Sequence, residues 1–281
     1  LQESLGVAPI IATLLAQRGI NTFEEAKQFF RPQLSGLNDP FLMKDMDLAV
    51  NRLHTAISGN EKVLVYGDYD VDGTTAVSLM YLFLKNKCSH VEYYIPDRYE
   101  EGYGVSYKGI DYAKSNGFTL IVCLDCGIKA VEKVAYAKDQ GIDFIICDHH
   151  RPGEKLPSAV AVLDPKRMDC NYPFKELCGC GVGFKLAQAY HQYFNLRFED
   201  LIPLLDLVVV SIAADIVPII DENRVLAFYG LQQLNSNPRI GLKALMTVAN
   251  RKEIFNISDV VFGLAPRINA AGRIEHGNKA V

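Results

Sequence analysis

Several absences narrow the possibilities for this chain before any motif is considered. No apolar run approaches about 20 residues free of charge or glycine, which excludes a membrane-spanning helix. The N-terminus has neither the basic nor the apolar region of a signal peptide. Internal repeats and low-complexity segments are missing, so repeat arrays and disordered linkers are not in view. There is no surplus of positive charge either: a formal net charge of −4 argues against bulk electrostatic binding of nucleic acid, though not against a local basic groove. The seven cysteines are an odd number, and Cys123 and Cys147 sit in strand-like apolar runs, which suits reduced, buried thiols in a cytoplasmic protein. An initiating methionine is lacking and the chain stops on Gly277-Asn278-Lys279-Ala280-Val281, so it is expected to be a piece of a longer protein, cut at both ends.

What is present is enough for a substantial core. A length of 281 residues makes one large α/β domain or two smaller ones. Cys123 and Cys126 have zinc spacing, with Cys178 and Cys180 close together downstream. Yet Cys123 ends a strand pattern, where neighbours face opposite ways, and Cys178 and Cys180 sit in a glycine loop, which disfavours a zinc site.

The centre of the sequence is KVLVYGDYDVDGTTA, residues 62–76. Residues 62–66 alternate and branch like a short buried strand, and residues 74–85 have helical length and spacing. Asp68, Asp70 and Asp72 lie between them with no interleaved Lys or Arg, so the loop is either a solvated acidic turn or the holder of a cation. Asp-x-Asp-x-Asp-Gly also opens a calcium loop, but the position needing a bidentate Glu is Leu79, in what reads as buried helix.

Residues 9–18 form an amphipathic turn sequence closed by Gly19, and Thr22-Phe23-Glu24-Glu25 is a capping box opening a second helix through Phe30. Pro32 and Pro40 interrupt the chain after it, and a helix over 45–58 ends at Gly59. Strand patterns at 62–66, 91–95, 120–124, 144–147 and 160–163 then alternate with helical stretches at 74–85, 107–115 and 129–139. The fold class is therefore α/β: a mainly parallel sheet flanked by helices, with an N-terminal helical extension over 1–50. The second half is mostly helical, at 182–194, 201–214, 223–234 and 240–249.

Polar clusters follow the C-terminal ends of three of these strands. Asp68, Asp70 and Asp72 follow the first; Asp125, Cys126 and Gly127 the third; Asp148, His149 and His150 the fourth. In open parallel sheets the loops at those ends form the ligand crevice, so the three motifs converge on one rim. Asp215 ends an almost wholly apolar helix before Pro218, where it either projects into the same crevice or is a solvated helix-end acid.

Asp and His donors without organised cysteines suit manganese or magnesium. Two such ions about 4 Å apart serve in-line attack on phosphorus. Asp70, Asp72, Asp125, His149 and Asp215 supply enough ligands, with His150 facing the substrate phosphate. Cations for that phosphate are available in IPDRYEEGYGVS, which carries Arg98 and a flexible Gly102-Tyr103-Gly104, and in PRINAAGRI, which carries Arg267 and Arg273. Surface arginines beside turns explain the same residues equally well. Gly179, Gly181 and Gly183 are either a phosphate nest or a close helix-packing surface.

GDYDVDG, LDCGI, DHH and AADIVP, in that order, resemble the four motifs of the DHH phosphoesterase superfamily. More narrowly, IPDRYEEGYGVS, LCGCGVGFKLA, PRINAAGRI and RGINTFEEAKQFF resemble its bacterial single-strand-specific exonucleases, over nearly the whole length. The resemblance implies the DHH phosphoesterase fold over 51–281 and a manganese- or magnesium-dependent exonuclease. Such an enzyme degrades single-stranded DNA from its 5′ end to mononucleotides in recombination and repair.

Carried over by motif, the resemblance implies Asp70, Asp72, Asp125, His149 and Asp215 as metal ligands, and Asp68 and Asp148 beside them in the catalytic motifs. It implies His150, Arg98, Gly104, Arg267 and Arg273 on the substrate side. Relatives such as the manganese pyrophosphatases carry a histidine where this chain has Tyr66, with Asp68 as the candidate replacement. Single-strand-binding protein and a helicase are implied as partners, with no membrane. The second lobe and oligonucleotide-binding module of such enzymes are not among these residues, so only short oligonucleotides should be cut, weakly and without processivity. Two other readings stay open: a small-substrate phosphodiesterase of the same superfamily acting on oligoribonucleotides or cyclic dinucleotides, and a non-catalytic nucleic-acid-binding module.

Overall fold

A computed structural model describes residues 1–250, 254–274 and 277–281. Three short helices open the chain, α1 (Gln2–Leu5), α2 (Pro9–Gln17) and α3 (Phe23–Phe30), gathered around a small cluster of Leu15, Ile20 and Ala26. The capping box at α3 is formed: Thr22 Oγ1 accepts the Glu25 N–H and the Glu25 carboxylate accepts the Thr22 N–H. The next helix, α4 (Met46–Ser58), already belongs to the main core, with Met46, Ala49, Val50 and Leu53 fully buried.

Strand and helix then alternate through β1 (Val63–Gly67), α5 (Val71–Lys85), β2 (Val91–Tyr94), α6 (Tyr107–Ser115), β3 (Leu120–Leu124), α7 (Val131–Asp139), β4 (Asp143–Cys147) and β5 (Ala161–Leu163). All neighbours pair in parallel, in the order β2-β1-β3-β4-β5. Because side chains alternate along a strand, each face has its own core. Val63, Val65, Leu120, Val122 and Leu124 point to the larger one, while Leu64, Tyr66, Ile121 and Cys123 point to the smaller one, where α6 and α7 contribute Ile110, Ala113, Val134 and Ala137. Each buried aliphatic side chain contributes about 1.5–3 kcal/mol, so the doubly covered β1 and β3 are the hardest elements to displace.

The larger face is covered by α5, by α8 (Gly179–Tyr193) and by α9 (Leu205–Ala214). Beyond them lie α10 (Asp221–Ser236), α11 (Ile240–Ala249), α12 (Ile257–Asp259), a π-helical turn over Val260–Leu264 and α13 (Ala265–Ile274). Among the described residues no helix is long and apolar enough to cross a membrane.

Boundaries differ from the sequence pattern where polar caps, invisible to apolar periodicity, start the helix. α5 begins at Val71 rather than residue 74, because Asp70 caps it by accepting the Gly73 N–H. α8 begins at Gly179 rather than residue 182, so Cys178-Gly-Cys180-Gly is a cap and first turn rather than a glycine loop. Cys178 Sγ accepts the Gly181 N–H there. Residues 198–204 form a 3-10 helix around Pro203, and α9 starts only after it. β1 is paired with β2 on one side and β3 on the other, so strand order reverses there and opens a crevice outside the carboxyl ends of β1 and β3.

Candidate metal centre

The acids after β1 are folded tightly back against the strand. A Cβ on Gly73 would lie 2.5 Å from the Asp68 carbonyl oxygen, so only glycine lets the turn close. This closure sets the three acids in different surroundings. Asp68 is completely buried and neither carboxylate oxygen has a hydrogen-bond partner. Asp70 is the cap of α5, with Oδ1 2.8 Å from the Gly73 nitrogen. Asp72, in the first turn of α5, receives the Gly179 N–H on Oδ2 and both the Cys180 N–H and the Ser211 hydroxyl on Oδ1.

Asp125 leaves β3 with φ at 57°, a left-handed conformation that aspartate adopts more readily than branched residues. It is buried and its Oδ1 has no hydrogen-bond partner. After β4, His149 places Nε2 3.2 Å from Asp125 Oδ1 and 3.7 Å from Asp72 Oδ2, and Nδ1 3.8 Å from Asp215 Oδ2. One imidazole thus stands between three carboxylates drawn from three elements. Two overlapping groups bring their ligand atoms within 4.8 Å of one another: Asp72, His149 and Asp215; and Asp125, His149 and His150. Asp70 lies outside both groups, and the cysteines belong to neither.

Burial drives the electrostatics. Asp125 is pushed well above the usual carboxylate range, by desolvation first and then by the charges of Asp72 and Asp70. Asp68 is raised to about 7 by burial and by Asp70, and Asp215 to about 6 by burial and by Asp72. Asp70 is raised for the same reasons, burial and Asp72, although the Gly73 N–H opposes the rise. Such a cluster either takes up protons or holds a cation. Its orphaned buried oxygens and the unpartnered His149 Nδ1 fit a hard or borderline divalent ion.

Asp148 stands apart from these acids. Burial pushes it up, but the His150 ring and the backbone N–H groups of Ile128 and His150 bring it below the ordinary value overall. Its oxygens also accept the His149 N–H, so Asp148 holds the turn and has little capacity left for a metal. His150 gives Nδ1–H to Asp148 at 2.7 Å, and in the neutral ring Nε2 accepts from Tyr103 Oη at 3.2 Å.

The substrate-side candidates separate into two sets. Arg98 lies over the Tyr69 ring at 4.5 Å and Tyr69 meets Tyr103 edge-on; burial and then Asp68 push the Tyr69 hydroxyl up, with the charges of Arg98 and Arg273 opposing. Gly104, at φ 77°, turns its carbonyl to Tyr66 Oη at 3.1 Å. Arg267 is not brought into this group, because its Nη1 donates to the Gly263 carbonyl in the π-helical turn at 2.6 Å. Tyr66, where the resemblance implies a histidine in some relatives, belongs instead to the smaller core and ties down Gly104 and Ser106.

Two residues escaped the sequence reading. Ser211 was visible only as a lone hydroxyl in an apolar helix. Asp164 follows β5 as the other acids follow their strands; it is fully buried, with one oxygen unpartnered, and raised to about 7 chiefly by burial. The strand-end rule could have found it.

Residues 62–212 match the family model described as DHH family, N-terminal domain. The chain is 45% identical over 282 residues to the single-stranded-DNA-specific exonuclease RecJ of Bacillus subtilis (strain 168), covering 100% of this chain and 35% of that protein. It spans about a third of that relative's length. Among solved structures it resembles exonuclease RecJ bound to manganese, with a TM-score of 0.78 and 30% identity over 88% of this chain and 61% of that one. It also resembles RecJ in complex with Mn2+ from Thermus thermophilus, with a TM-score of 0.83 and 27% identity over 99% of this chain and 39% of that one.

Proposed function

Because the chain belongs to the DHH family, we propose that it hydrolyses phosphodiester bonds of single-stranded DNA from the 5′ end, releasing mononucleotides, with two manganese or magnesium ions. The catalytic domain is read as residues 51–281, with 1–50 as its helical extension. Asp70, Asp72, Asp125, His149 and Asp215 would hold the ions. When bound, these supply an activated water and charge neutralisation at the departing oxygen.

The chain's own groups do the positioning. His150, held by Asp148, faces the substrate phosphate, with Tyr103 beside it. Arg98, which lies over Tyr69, and Arg273, whose charge Tyr69 feels, would hold phosphate oxygens, and Gly104 would let the strand approach the loop closely. Arg267 would join them only by giving up Gly263. The reading also places the protein in the cytoplasm, beside a single-strand-binding protein and a helicase, on the strength of the resemblance alone.

The observation that carries this reading is His149 set between Asp72, Asp125 and Asp215, with buried acceptors that no protein donor satisfies. The test is manganese-dependent release of mononucleotides from a 5′-phosphorylated single strand, compared with an RNA dinucleotide. Asp125→Ala should abolish release while the circular dichroism spectrum is kept. Wild-type protein inert toward every phosphodiester in manganese would favour a binding module, and preference for the RNA dinucleotide would favour a small-substrate phosphodiesterase.

A further inference from the structure

Asp72 differs from the other acids of the centre in how little of it is free. A carboxylate offers about four lone-pair positions, two on each oxygen. On Asp72, Oδ1 accepts the Ser211 hydroxyl at 2.6 Å and the Cys180 N–H at 2.7 Å, while Oδ2 accepts the Gly179 N–H at 2.7 Å. Oδ1 is therefore saturated. The open position lies on Oδ2, the oxygen facing His149 Nε2 at 3.7 Å. Asp125 Oδ1 and both oxygens of Asp68, by contrast, have no hydrogen-bond partner.

This arrangement is built rather than incidental. The first N–H groups of a helix have no partner within it, and in α8 two of them are satisfied by Asp72 from another helix. The same helix start abuts Asp125 so closely that a Cβ on Gly179 would lie 2.5 Å from Asp125 Oδ1. Ser211 is equally specific. Hydroxyls within helices commonly bond the carbonyl four residues back, as Thr75 does to Val71 and Ser78 to Thr74. Ser211, buried at mid-helix, instead sends its hydrogen across to Asp72.

We infer that Ser211, together with the start of α8, is a positioning residue that limits Asp72 to ligation through one oxygen and so selects manganese or magnesium over calcium. Calcium accepts bidentate carboxylates in flexible geometry, whereas magnesium demands near-ideal octahedral placement. Closing Oδ1 to metal removes the bidentate option at this ligand. The inference rests on the proposed metal centre.

Metal binding, read by calorimetry on metal-free protein, tests it without turnover. Ser211→Ala should lower manganese affinity about tenfold, within the range usual for residues that orient ligands, while calcium affinity is unchanged or rises. Ser211→Cys, nearly the same size but a weak donor, should behave alike, and Ser211→Thr should restore the wild-type ratio of the two affinities. Melting in chelator checks that each variant is folded. A wild-type ratio in Ser211→Ala and Ser211→Cys, or equal loss of both ions, overturns the inference and leaves the metal centre standing. Wild-type protein that binds neither ion overturns both.

Discussion

Asp68, Asp125 and Asp215 carry raised proton affinities in the folded chain, and this has a definite consequence for pH. Asp68 stands at about 7 and Asp215 at about 6, against about 3.9 for an unfolded aspartate. Between those values the folded state holds protons that the unfolded state has released. Metal-free stability is therefore present at the acid end of the window and is lost as pH rises through 6 and 7. Asp148, held below the ordinary range, acts in the opposite direction, but only below about pH 4. We expect the metal-free melting temperature to fall by several degrees between pH 5 and pH 8, and manganese to raise it more at pH 8 than at pH 5. A flat metal-free profile, measured by scanning calorimetry, would contradict this.

Asp125→Asn should raise the metal-free melting temperature by a few degrees, because it removes a buried uncompensated carboxyl while keeping its shape. It should also abolish manganese stabilisation. A variant no more stable than wild type in chelator would mean that Asp125 is not electrostatically costly.

Among the elements, the start of α8 and the loop after β2 position the centre. Gly179→Ala gains about 1 kcal/mol in helix propensity. The new Cβ would press on Asp125 at 2.5 Å, and such overpacking typically costs about 1–3 kcal/mol, so net destabilisation and weaker manganese binding are expected together. Tyr66→Phe removes the hydroxyl that donates to the Gly104 carbonyl and accepts the Ser106 N–H. A loss of about 1–2 kcal/mol is expected, with KM raised and kcat little changed, since the loop carries Tyr103 rather than a metal ligand. A fall in kcat with KM unchanged would place Tyr66 closer to the chemistry.

The elements also show what the sequence could and could not reveal. The strands were legible as short, branched apolar runs, since Val63 and Leu64, one residue apart, serve two different cores and neither faces water. The convergence of Asp125 and His149 followed from the strand-end rule. The uses of Asp70, Asp148 and Ser211 were not legible, because capping and hydrogen bonds to residues distant in sequence leave no periodic trace. Arg267 looked like Arg273 in sequence, yet its guanidinium goes to Gly263.

At the scale of the molecule, a buried polar knot joins the beginning of the chain to its second half. Lys185 Nζ lies 2.9 Å from Glu222 Oε1 and 2.7 Å from the Asn38 carbonyl, both charged side chains being fully buried. Glu222 also accepts the Tyr172 hydroxyl and the Asn38 N–H. Glu222→Ala would strand a buried ammonium and is expected to cost about 3–5 kcal/mol, read from the urea midpoint. Replacing Lys185 and Glu222 together by Met and Leu should recover most of that loss. A double variant no better than Glu222→Ala alone would point instead to Tyr172 and Asn38 as the main losers.

The capping of α8 by Asp72 ties the order of synthesis to the appearance of the centre. A polypeptide emerging from the ribosome presents Asp70 and Asp72 early, but the amides and hydroxyl that orient Asp72 come from residues 179, 180 and 211, and the last carboxylate is Asp215. Until α9 has been translated and has docked, Asp72 is without the donors that orient it, whereas Asp70 takes its own from Gly73 close by in the sequence. The donors that orient Asp72 are therefore in hand only once both α8 and α9 have joined the chain.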